Sequence, residues 1–114
     1  MSRIYKILGL DDWEAAQLTG RFTGAEVDVK DGYIHFSTAA QAAETGRKYF
    51  SSRLDLILLE IEADDLGVAL KWEPARGGDL FPHLYGALDC RLVRSVRSVA
   101  LGADGAPILT DLPA

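Results

Sequence analysis

The chain carries one cysteine, Cys90, among its 114 residues. A single thiol excludes an internal disulfide, so packing has to hold the fold, and the composition suits a reducing, cytoplasmic compartment. Long apolar runs are also missing. No stretch reaches the ~18 residues a membrane span needs, and Met1-Ser2-Arg3-Ile4-Tyr5-Lys6 lacks the apolar core of a signal peptide. Basic charge is scarce: 12 Lys and Arg stand against 17 Asp and Glu, a net charge of −5. Nonspecific nucleic-acid binding rests on clustered Lys and Arg, so bulk nucleic acid is excluded and only a local basic pocket remains open. The two histidines lack His-x-x-x-His spacing and lie far from the cysteine, which argues against a metal site. There is no Gly-x-Gly-x-x-Gly and no Walker-type loop, and Ser37 lacks the Gly-x-Ser-x-Gly elbow of a hydrolase nucleophile.

What is present is a normal globular composition, 48% hydrophobic and 25% charged, long enough for one domain over 1–114. The chain is organised around Asp31-Gly32-Tyr33-Ile34-His35-Phe36-Ser37-Thr38. Asp-Gly makes a turn, 33–37 alternates as a strand, and Thr38 opens a helix. Alternation puts Ile34 and Phe36 on a core side. Tyr33, His35 and Ser37 fall on the other, with His35 and Ser37 roughly 6.5–7 Å apart. Phe81-Pro82-His83-Leu84-Tyr85-Gly86 repeats the idea, with His83 and Tyr85 two apart. These segments hold both histidines, and the expectation is that they meet across one cleft.

Taken in order, 4–8 reads as a strand ending at Gly9. A short helix follows to about Thr19, with Asp11 and Glu14 resembling a capping box and Trp13, Ala16 and Gln17 on one face. Gly20 stops it. Glu26-Val27-Asp28-Val29 reads as a short extended piece. Thr38 with Gln41 forms a better capping box, for an alanine-rich helix over 39–50. Residues 54–61 are the most apolar run, a central strand buried on both faces. A strand over 68–72 follows, then a Pro/Gly loop over 73–79 that delivers the second histidine segment. One or two strands over 88–101 and a proline-led edge strand over 107–110 complete the chain. Short strands with two main helices and no regular strand–helix alternation imply an α+β domain.

The candidate site residues follow. His35 lies opposite the core side and just before a helix N-terminus, whose free N–H groups and partial positive charge suit phosphate. Ser37 and Thr38 are ligand contacts or plain helix caps. His83 and Tyr85 are cleft-lining donors, or a loop histidine and a core-packing tyrosine. Glu73 is a general base or a sugar-hydroxyl acceptor, and Arg76 a bidentate phosphate or carboxylate clamp. The alternative for both is a solvated loop. Lys6 carries the same pair of readings. Cys90 reads as buried and inert, and Arg91, Arg94 and Arg97 as exposed solubilising charge.

The two histidine motifs, Gln41, the strand around 56–61 and Lys71-Trp72-Glu73 together resemble the bacterial family called domain of unknown function 952. That resemblance implies a fold similar to the ADP-ribosyltransferase superfamily, a split pair of small sheets with helices around a cleft that in relatives holds NAD. The superfamily places His or Arg on an early strand, Ser or Tyr on a second and Glu on a late strand. Here Lys6 stands on the first, His35, Ser37 and Thr38 on the second, and Glu73 is the nearest glutamate. The resemblance therefore implies a domain that binds NAD or a related ADP-ribose or nucleotide compound and, if it turns the ligand over, cleaves or transfers it as an NAD-utilising transferase or glycohydrolase-like enzyme, with His35, Glu73 and His83 in catalytic positions and Ser37, Thr38, Arg76 and Tyr85 on the ligand. NAD would enter as a substrate, and the resemblance implies no certain cofactor. The alternative is a noncatalytic module for a nucleotide, an RNA end or a protein.

Overall fold

The computed structural model describes residues 2–114, save the side chain of Arg76. Among the described residues, three antiparallel sheets and three α-helices make an α+β fold. Strand β1 (Arg3–Gly9) runs between β5 (Leu56–Glu62) and β4 (Ser37–Thr38), and β9 (Val93–Ser98) closes the other side of β5. A second sheet has β7 (Leu80–Leu84) between β3 (Ile34–His35) and β6 (Leu70–Pro74), and β2 (Arg21–Phe22) pairs with β8 (Leu88–Asp89).

Strand β5 is buried along its whole length because both faces of its sheet are covered. Ile57, Leu59 and Ile61 point one way, against Ile4, Leu8, Trp13, Phe36 and Leu84. Leu56 and Leu58 point the other way, against Tyr5, Ile7, Ala42 and Leu109. Alternation at period two therefore serves two cores from one strand. Helix α3 (Ala39–Tyr49) covers the second core, and Thr38 and Gln41 cap it reciprocally. Helix α1 (Leu10–Thr19) packs Trp13 and Ala16 into the first core.

Several local expectations are corrected. The extended piece over 26–29 is instead helix α2 (Glu26–Asp31). Its Glu-Val-Asp-Val alternation imitates a strand, yet Val27 and Val29 face solvent and only Asp28 is buried. The Asp28 carboxylate accepts the Ala25 N–H at 2.8 Å, and Gly32 closes the helix in a left-handed conformation. The strand expected over 33–37 is not continuous. It breaks at Phe36, whose N–H donates to the Pro82 carbonyl, so β3 and β4 join different sheets. Glu73 is not on a loop: β6 carries it, opposite Phe81 of β7. His83 likewise lies within β7, and the loop narrows to 75–79. No side chain caps α1; its first turn starts at Leu10, after Gly9, and Gln17 is exposed. The expected edge strand over 107–110 is a single bridge, Leu101 with Pro107.

Candidate functional site

The pairing of β3 with β7 sets His35 directly opposite His83. Their ring centroids lie 5.5 Å apart, edge to face. Both line a cleft of about 590 Å³ with Lys6, Ser37, Asp12 and Arg53 among its other polar walls. Apolar walls come from Tyr5, Ile7, Phe36, Phe50 and Phe81. The two histidine segments thus share one concave surface.

Each imidazole is backed by a carboxylate. His83 Nδ1 meets Glu73 Oε1 at 2.8 Å, and the Tyr85 hydroxyl donates to the same oxygen at 2.8 Å. The His83 and Tyr85 hydrogen bonds hold the Glu73 carboxyl below its usual range, while the contact with Glu73 raises the Tyr85 phenol. His35 Nδ1 lies 2.6 Å from Asp28 Oδ1, and its Nε2 lies 2.9 Å from Asp31 Oδ2. The Tyr33 ring stacks on His83 at 4.2 Å between centroids and also touches His35 and Tyr85. These contacts fix both rings before any ligand arrives.

Asp28 is the hub. Besides His35 and the Ala25 N–H, it binds the Lys6 ammonium at 2.9–3.0 Å. Burial would raise its carboxyl; the His35 hydrogen bond and the Lys6 charge outweigh that and bring it down to about 2. Lys6 is only 5% exposed, and burial lowers its ammonium pKa even beside Asp28. Removing an ion from water costs several kcal/mol, so each partner requires the other. The network Lys6–Asp28–His35–Asp31 runs from the buried cleft wall to the surface.

The other candidates separate. Ser37 lines the cleft and shares a hydrogen bond with Thr45 at 2.9 Å. Thr38 is taken up by capping and lines a smaller depression beside Trp72. Tyr85 lies behind His83, away from the cleft walls. Arg76 falls outside the described side chains. Among the described residues, no group of His, Cys, Asp and Glu is arranged to hold a metal ion, and no helix is long and apolar enough to cross a membrane.

Residues 7–96 match the family described as protein of unknown function (DUF952). The chain belongs to that family. The fold is also similar to solved structures of protein CC0527 from Caulobacter crescentus. Its crystal structure has 48% identity and a TM-score of 0.95, with 96% of each chain covered. Its solution NMR structure has 49% identity and a TM-score of 0.87, covering 97% of this chain and 96% of the other. No curated protein matches the chain. For this DUF952 member, sequence reasoning missed Asp28, Asp31, Asp12 and Arg53. A signal for Asp28 existed: period two puts Lys6 on the same face as Ile4 and Leu8, and a cation on a core face requires a buried carboxylate.

Proposed function

We propose that the cleft binds NAD or a related ADP-ribose or nucleotide compound, with the glycosidic ribose against the histidine pair. One observation carries the reading: His35 and His83 are cross-strand neighbours that open on one cleft, each held by a carboxylate. A cleft of about 590 Å³ suits a small molecule, given that ligand pockets span roughly 300–1,000 Å³. Among the described groups nothing occupies His83 Nε2, so that nitrogen is available to a ribose hydroxyl. Ser37 offers a second hydroxyl contact. Glu73 fixes the orientation of His83, and its negative charge favours the positive charge that develops at the sugar when the glycosidic bond breaks. The split small sheets with flanking helices support an ADP-ribosyltransferase-like ancestry, in which Lys6 stands where the superfamily carries His or Arg and Glu73, on β6, stands as the strand glutamate.

Calorimetry with NAD, ADP-ribose and 2′-phosphorylated nucleotides tests the reading. Saturable heat that His83→Ala abolishes is expected; no heat with any of the three removes the proposal. A second reading, a noncatalytic module for a nucleotide, an RNA end or a protein, is favoured by one contact set. Both nitrogens of His35 already face carboxylates, which leaves that ring no free position for proton transfer. Prolonged incubation with labelled NAD separates the two: released nicotinamide identifies an enzyme, and intact bound NAD a binding module.

A further inference from the structure

A second cluster on the cleft wall has no part in the histidine chemistry. Arg53 lies just after α3, in the tight turn that follows Phe50. Its guanidinium donates to Asp55 through Nε at 3.1 Å and Nη2 at 2.8 Å. The same guanidinium lies over the Phe50 ring, 5.7 Å from its centroid. Beneath it is Gly9, the last residue of β1, where a Cβ would come within 2.7 Å of both Arg53 Nη2 and Asp55 Oδ2. Gly9 has an ordinary extended backbone, φ −74° and ψ 150°. Only the ion pair stands in the way of a side chain there, and its two flexible ends would have to shift to admit one. Phe50, Arg53, Gly9 and Asp12 all line the cleft. The arginine is therefore held by three neighbours while 44% of its side chain stays accessible, and among the described groups none occupies its Nη1.

A planar guanidinium fixed in this way is a stacking surface, and Arg planes stack on aromatic rings and bases. Asp12 supplies a carboxylate acceptor on the same wall, with no described hydrogen-bond partner. A ring that stacks on Arg53 and presents N–H donors to Asp12 satisfies both. We propose that Arg53, backed by Phe50 and Asp55, is a nucleobase subsite, selective for a base with an exocyclic amino group such as adenine. This rests on the nucleotide reading of the cleft and specifies which part of the ligand lies at this end. Asp55 and Gly9 are positioning residues.

The test titrates NAD, adenosine, inosine and nicotinamide mononucleotide into the wild-type protein, Arg53→Ala, Arg53→Lys, Gly9→Ala and Asp12→Asn. Circular dichroism melts check that each variant is folded. Stacking on a side chain is worth enough that its loss weakens binding about tenfold or more. Arg53→Ala and Arg53→Lys are both expected to weaken adenosine and NAD by about that factor, because lysine keeps the charge but not the plane. Nicotinamide mononucleotide, which has no adenine, should be unchanged. Gly9→Ala, which displaces the ion pair without removing it, should follow Arg53→Ala, and Asp12→Asn should weaken adenosine more than inosine. If NAD binds and all four variants bind it as the wild type does, this subsite is wrong and the nucleotide reading stands. An equal loss for nicotinamide mononucleotide also overturns it, showing a general charge effect. If no nucleotide binds the wild type, both readings fall together.

Discussion

Asp28 shows how much one side chain can organise. Four donors converge on its carboxylate: the Ala25 N–H, the His35 N–H, the His35 ring and Lys6. Asp28→Asn keeps the shape but leaves the Lys6 ammonium buried without a counter-charge. Breaking a buried pair from one side costs roughly 3–5 kcal/mol, so the urea midpoint of the variant should fall by that equivalent. The pH response has a definite sign. A carboxyl held at about 2, below its unfolded value near 4, contributes stability above about pH 4 and loses it as pH falls through the folded value. The loss attributable to this one group is about 2 kcal/mol. Urea titrations at pH 5 and pH 2.5 should show a steeper decline for the wild type than for Asp28→Asn. Equal slopes would mean that Asp28 titrates normally. Residue identity alone had flagged both histidines, Ser37 and Glu73. Asp28 and Asp31, the carboxylates behind His35, were not flagged: Lys6 on a core face signals that a carboxylate is buried with it, but nothing local marks which of 17 acidic residues that is.

At the level of elements, the α3 cap is more legible than the strand limits, whereas the Asp11/Glu14 box expected for α1 does not form. The Thr38/Gln41 box is local chemistry, written in residues three apart, and it forms as expected. Thr38→Ala should lower stability by about 1 kcal/mol, read as a drop in melting temperature with little change in the cleft. Gly46 lies in the same helix, where it weakens helix propensity by roughly 1 kcal/mol relative to Ala. Tertiary packing explains it: a Cβ would lie 2.9 Å from the Leu109 methyl and 3.3 Å from the Pro107 ring. Leu109 can turn aside but the proline ring cannot, so Gly46→Ala should destabilise by about 1–3 kcal/mol despite the better propensity. A rise in melting temperature would show that the C-terminal segment is loosely seated. Helix α2 looks extended in the sequence for a related reason. Its polarity pattern carries period two, but the hydrogen bonds that decide its shape come from a buried Asp28 and a left-handed Gly32.

Over the whole molecule, β5 ties the two cores together. Leu59 belongs to one and Leu58 to the other, and both are buried. Leu59→Ala and Leu58→Ala should each cost about 2–5 kcal/mol. Tryptophan fluorescence, which reports Trp13 in the first core together with the half-exposed Trp72 on β6, and far-UV circular dichroism should show one shared transition for either variant. Separate transitions would mean that the cores melt independently. Composition and short-range pattern by themselves determined the α+β class, the doubly buried central strand, the α3 cap and the polar face of each histidine segment. These rest on interactions between residues at most a few positions apart, where periodicity and hydrogen-bonding chemistry suffice. Only the tertiary structure decided that His35 faces His83, that Asp28 and Glu73 stand behind them, that Tyr85 turns away, and that Arg53 lies on Gly9. Those contacts join residues distant along the chain, and their register follows from how whole sheets and helices exclude water together, which no short stretch encodes.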